Sequence, residues 1–183
     1  MIEYATREDI LRLSSNMRLT EQASVRKAAE ERDPNGATFL SHSSKDQELV
    51  VGAVALLAEH GASVYIDKKD PALPPYTSTE TAIGLKKRIR KSRNFVLLAS
   101  ENSKDSRWVP WELGIADQAK NLFRVAILPT VESQQDKGWT KWEYLGLYRR
   151  IVWGDLKGYD DSVWMVLDQR TKKAVELSRW LKI

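Results

Sequence analysis

The segment Ser106-Arg107-Trp108-Val109-Pro110-Trp111-Glu112-Leu113 sets one carboxylate four residues after an indole, close to a plausible helix start. A spacing of four puts Trp108 and Glu112 on one helix face. Ser106, or a residue just after it, suits the start of that helix, and Pro110 is tolerated only in its first turn. Glu112 then falls one or two turns in, where the helix dipole favours negative charge. A fixed carboxylate can stabilise or trap a developing positive charge, and an indole offers a flat face to a cationic ring or a sugar. The same residues also have ordinary uses. A glutamate near a helix start is commonly dipole-stabilising surface, and a tryptophan is commonly core, so residue types alone leave both readings open.

Other chemistry-bearing residues are few. Ser41 and His42 close an apolar strand, where they either meet a ligand or make turn hydrogen bonds. The chain has no cysteine and only two histidines, which excludes disulfides and thiolate chemistry and argues against a histidine metal centre. No metal or cofactor is expected. The run Lys86-Lys87-Arg88-Ile89-Arg90-Lys91-Ser92-Arg93 reads first as a solvated helix face. It can also meet acidic patches of a neighbouring copy or steer a dinucleotide by its phosphates. Five tryptophans between 139 and 180 read as core.

With 183 residues, 42% hydrophobic and 30% charged, the chain is long enough to bury a core and too apolar for disorder. A formal charge of +4 is mild, and no nucleic-acid partner is expected. No apolar run reaches signal-peptide or membrane-span length, so a cytoplasmic protein away from membranes is expected.

The elements that must position these residues follow from the hydrophobic rhythm. Residues 6–31 predict one or two helices in an N-terminal extension over 1–36, stopped by Asp33-Pro34-Asn35-Gly36. Short apolar strands are predicted at 37–41, 62–66, 94–100, 123–129 and 149–153, with helices after Ser44, at 80–92 and at 107–120. Gly61 suits the left-handed residue that ends the first of these helices. Strands apolar on both faces, alternating with helices, predict a doubly wound α/β fold over 37–155. Ligands then bind beyond the carboxyl ends of the strands, at the loops Ser41–Lys45, Asp67–Thr79 and Ser100–Glu112. The tail from 156 to 183 reads as a hairpin with a last helical turn, with a single long helix as the alternative.

Three stretches in series, Thr38-Phe39-Leu40-Ser41-His42-Ser43-Ser44-Lys45-Asp46, then Ala62–Asp67 with its proline-rich loop, then Ser92–Asp117, resemble the Toll/interleukin-1 receptor (TIR) domain, particularly its bacterial members. The resemblance covers about 37–155. It implies a flavodoxin-like five-stranded parallel sheet and cleavage of NAD at the nicotinamide–ribose bond, giving ADP-ribose or a cyclic or conjugated form. It maps the catalytic carboxylate to Glu112, the motif tryptophan to Trp108, and residues shaping the NAD site to Ser41 and His42. A loop that gates the site and mediates assembly begins at Asp67. The loop here departs from the family pattern: Asp67-Lys68-Lys69-Asp70-Pro71-Ala72-Leu73-Pro74-Pro75 is proline-stiffened and lacks the usual glycine.

The implied reaction suits a lone carboxylate. Nicotinamide leaves from a pyridinium without being protonated, so only the ribosyl oxocarbenium ion needs stabilising or trapping, unlike the paired-carboxylate hydrolysis of glycosides. NAD is then substrate, not cofactor. The resemblance further implies anti-phage signalling, self-association through TIR surfaces and a separate effector or sensor protein. The competing reading is a catalytically silent TIR interaction module. A phospho-accepting receiver domain is excluded because Ser41-His42 and Ala99-Ser100 stand where it needs acids, and a Rossmann dehydrogenase because no G-x-G-x-x-G follows a strand.

Overall fold

The computed structural model describes residues 1–67, 78–135 and 143–183. Five parallel strands form its centre: β3 (Thr38–Ser41), β4 (Val64–Tyr65), β5 (Asn94–Ala99), β6 (Val125–Val131) and β7 (Arg149–Gly154). Their spatial order is β4-β3-β5-β6-β7. That is second-first-third-fourth-fifth, the flavodoxin-like order whose switch point lies between β3 and β5. The sheet continues antiparallel through β8 (Val163–Asp168) and β9 (Lys173–Glu176), so the tail is the expected hairpin, followed by the short helix α6 (Leu177–Leu181).

Alternation along the strands divides the core into two layers. Leu40, Val96 and Leu98 face α3 (Gln47–Glu59) and α6, with Leu49, Leu57 and Trp180 filling the space. Phe39, Phe95 and Leu97 face α4 (Thr79–Lys91) and α5 (Trp108–Ala119), against Ile89, Val109 and Leu113. Every residue of β5 is buried, because helices cover both faces and leave no polar side to write into the sequence. Each fully buried leucine or phenylalanine contributes roughly 1.5–3 kcal/mol. Gly61 takes the left-handed conformation at the end of α3, with φ 91°.

The N-terminal extension holds the expected helices, α1 (Arg7–Ser15) and α2 (Leu19–Glu31), and also two strands that the sequence did not announce. Strand β1 (Ile2–Glu3) pairs antiparallel with the end of β7, Ile2 opposite Gly154. Strand β2 (Ala5–Thr6) pairs parallel with the end of β6, Ala5 opposite Thr130. The pairing of β6 with β7 is at Ala126–Arg149 and Ile127–Arg150, so the chain start wedges in where those two strands part. Between β1 and β2, the Gln134 amide accepts from Tyr4 N–H at 3.3 Å and donates to Tyr4 C=O at 2.7 Å, continuing the pairing with a side chain. Two-residue strands carry no periodicity, which is why the sequence is silent on them. Thr6 then caps α1 reciprocally with Asp9. Among the described residues, no helix is long and apolar enough to cross a membrane.

Close backbone contact docks this extension. A Cβ on Gly52 of α3 would lie 2.0 Å from the Ile10 carbonyl oxygen of α1. Gly52→Ala therefore forces α1 off α3 and is expected to cost about 3 kcal/mol, lowering the thermal midpoint by roughly 6–12 °C. An unchanged midpoint would show that the helices do not meet there. A second expectation concerns Lys120, which is buried and donates to the Ser92 carbonyl at 2.5 Å. Burial, and secondarily the charge of Arg124, push its pKa down to about 8. Between about pH 8 and 10 the unfolded chain holds this proton while the folded one loses it, so stability rises with pH. Urea midpoints of Lys120→Met across that range should lack the wild-type increment.

Candidate active site

Helix α5 begins where its sequence allows. The Ser106 hydroxyl accepts from Val109 N–H at 3.2 Å, and Pro110 is the third helical residue, with no hydrogen bond to forfeit. One turn on, Glu112 points inward and is 1% exposed. Ser41, the last residue of β3 and fully buried, donates its hydroxyl proton to Glu112 Oε2. Two residues 71 apart in the chain thus meet at the sheet's carboxyl rim, beside the switch point. The Ser41 hydroxyl fixes the orientation of this buried carboxyl group at the rim.

Trp108 begins α5, one turn before Glu112 on the same helix face. Its ring meets that of Trp111 edge-on, 5.5 Å between centroids at 71°. Both rings pack against the α4–α5 core and also line an open cleft of about 560 Å³, with Ser44, Ala82, Asp105, Ser106 and Arg107 around it. Trp108 is therefore both core and wall. His42 is buried beside Ser41, its Nε2 within 3.5 Å of Gln47 Nε2.

Asp67 is placed differently from the other candidates. Its carboxylate accepts from the Tyr65 hydroxyl at 2.8 Å and is paired bidentately with Arg88 of α4, at 2.9 and 3.2 Å. Burial, then the Asp67 charge, push the Tyr65 hydroxyl pKa well up. This fixes the end of β4 to α4 at the base of the predicted gating loop. The rest of that loop, 68–77, lies outside the described residues.

A second buried carboxylate was not singled out from the sequence. Asp46, 0% exposed, precedes α3 and reads as an ordinary helix cap, yet its side chain makes no cap bond. It accepts instead from Ser100 Oγ and Asn102 Nδ2, each at 2.7 Å. It thereby ties the loop after β3 to the loop after β5, the two loops that bring Ser41 and α5 to the site. The only sequence signal was its place directly after the predicted rim loop Ser41–Lys45, as the last residue of the first TIR-like stretch. Among the described residues, no group of three or more histidines or acids could hold a metal ion.

Comparison with known proteins agrees with this fold. A curated protein of Bacillus cereus (strain MSX-D12), named "Probable 3' cyclic ADP-D-ribose synthase ThsB'", is 36% identical over 147 residues, 79% of this chain and 74% of that protein. Another, from Cytobacillus dafuensis, named "Putative cyclic ADP-D-ribose synthase TIR2", is 31% identical over 100 residues, 52% of this chain and 26% of that protein. The family model described as TIR domain matches residues 38–167. That match opens on the first residue of β3, takes in Ser41, Glu112 and all five parallel strands, and on it the chain belongs to the TIR domain family.

Proposed function

We propose that this chain is an NAD-cleaving TIR enzyme whose product is a cyclic ADP-ribose signal in bacterial anti-phage defence. The observation that carries the reading is the buried Ser41–Glu112 contact at the carboxyl rim, one helical turn from Trp108, which walls the neighbouring cleft. In the reaction, the bond from ribose C1 to the pyridinium nitrogen breaks and its electron pair stays on nitrogen, releasing neutral nicotinamide without a proton. The ribosyl cation left behind faces the Glu112 carboxylate, which stabilises it or forms a transient ester. Ser41 acts through Glu112, orienting the carboxylate, and Trp108 walls the ring. A hydroxyl then attacks C1, displacing the carboxylate where an ester has formed, and its proton passes to the Glu112 carboxylate or to solvent. The names of both relatives support an internal nucleophile over water, and the 3' in the first supports a ribose hydroxyl. His42 shapes the floor, and Asp67 anchors the base of the gating loop. Self-association of TIR surfaces and a separate effector that reads the product complete the proposal. No cofactor is needed, since NAD is the substrate.

Nicotinamide release from NAD, followed at low and high protein concentration with the co-products separated, tests this directly. Wild type should release nicotinamide and form a cyclic product. Glu112→Gln, which keeps the shape and loses the charge, should be slower by about 10²- to 10³-fold. Release by both proteins removes Glu112 as the essential carboxylate, and release by neither favours a silent interaction module. Ser41→Ala should lower kcat by about 10- to 100-fold, the worth of a hydrogen bond to a charged group, with KM little changed. Ser41→Thr should restore most of it, whereas equal losses in both variants would make Ser41 a packing residue.

A further inference from the structure

The basic run on α4 has no part in the chemistry above. We propose that the groove between α4 and α5 holds the adenylate half of the dinucleotide, with adenine on Trp111 and the diphosphate between Lys86 and Arg90. This rests on the reading of the neighbouring cleft as the NAD site.

The groove has a volume of about 320 Å³, between Lys86 and Arg90 of α4 and Pro110, Trp111, Gly114 and Ile115 of α5. Trp111 is also a wall of the 560 Å³ cleft, so its indole is the surface the two spaces share. A molecule with its nicotinamide end at Trp108 therefore reaches the groove by passing along Trp111. Beyond the scissile bond, NAD carries two phosphate charges and a flat purine. The groove has the complement of each. Lys86 Nζ stands 5.8 Å from the Trp111 ring centroid, so a cation and an aromatic face are offered together. Lys86 and Arg90 are one helical turn apart on the same face, where like charges repel and an anion between them relieves the repulsion. Lys87 and Lys91 line an adjoining hollow of about 450 Å³, extending the positive field.

Gly114 is the second observation. Glycine inside a helix is unfavourable relative to alanine, and a Cβ at this position would meet nothing within 4 Å. The missing side chain leaves part of the groove floor empty. The groove's size also selects the occupant. It falls within the range of small-ligand pockets.

The test pairs ADP-ribose binding by calorimetry with kcat/KM for NAD against nicotinamide mononucleotide, which has the scissile bond and no adenylate. Two independent variants suffice: Lys86→Gln/Arg90→Gln removes the charge, and Gly114→Gln fills the floor. Their positions are exposed, and thermal midpoints verify folding. Each should weaken ADP-ribose binding tenfold or more and lower the ratio of NAD to mononucleotide turnover to match. No ADP-ribose binding by wild type, or equal affinity in wild type and both variants, overturns the proposal and returns the groove to solvent or to an acidic protein partner. If wild type cleaves neither substrate, the NAD-cleaving reading fails, while the ADP-ribose titration still decides the groove.

Discussion

Asp46 is a carboxylate with no exposed surface, held by one hydroxyl and one amide at 2.7 Å each. Burying a charge is costly unless donors replace the lost water, and here both donors belong to the loop on the other side of the switch point. In a parallel sheet the loops on either side of that point diverge and leave a crevice. Asp46 keeps the crevice from widening. With the loop after β3 pinned to the loop after β5, Ser41 and α5 come into register, and Glu112 finds its donor. The site geometry thus follows from a polar tie between the two loops that carry it.

The opposite side of the rim is held by backbone. Residues 2–6 fill the fork between β6 and β7, and α1 then lies so near α3 that only glycine fits at position 52. Gly154 is constrained in the same way, since a Cβ there would stand 2.3 Å from the Met1 carbonyl oxygen. Arg7, just after β2, pairs with Glu48 of α3 and lines a small hollow with Ser100 and Asn102. The N-terminal extension is therefore built into the same rim as the Asp46 tie.

Much of this was written in the sequence because it repeats along the chain. Unbroken apolar strands announce a sheet covered on both faces, and helical spacing announces α3, α4 and α5. The pairing of Trp108 with Glu112 follows from a spacing of four. What the sequence withheld depends on partners distant in the chain. Asp46 looks like a cap until Ser100 and Asn102 are placed beside it. Arg88 looks like one more cation in a basic run until Asp67 turns to meet it. Strands β1 and β2, two residues each in a polar stretch, have no rhythm at all, and their existence is decided by the strands they join.

That last dependence sets an order of assembly. Strand β1 has no partner until Trp153 and Gly154 exist, and β2 none until Thr130 and Val131 do. A ribosome delivers residues 2–6 well before those partners, so they must wait to be seated. Contacts of such long sequence separation are slow to close. The rim beside the crevice is then finished only once β7 has been made. A nascent or truncated polypeptide ending before β7 carries Ser41 and Glu112 but lacks the partner for β1, and its rim stays unfinished until synthesis has passed Gly154.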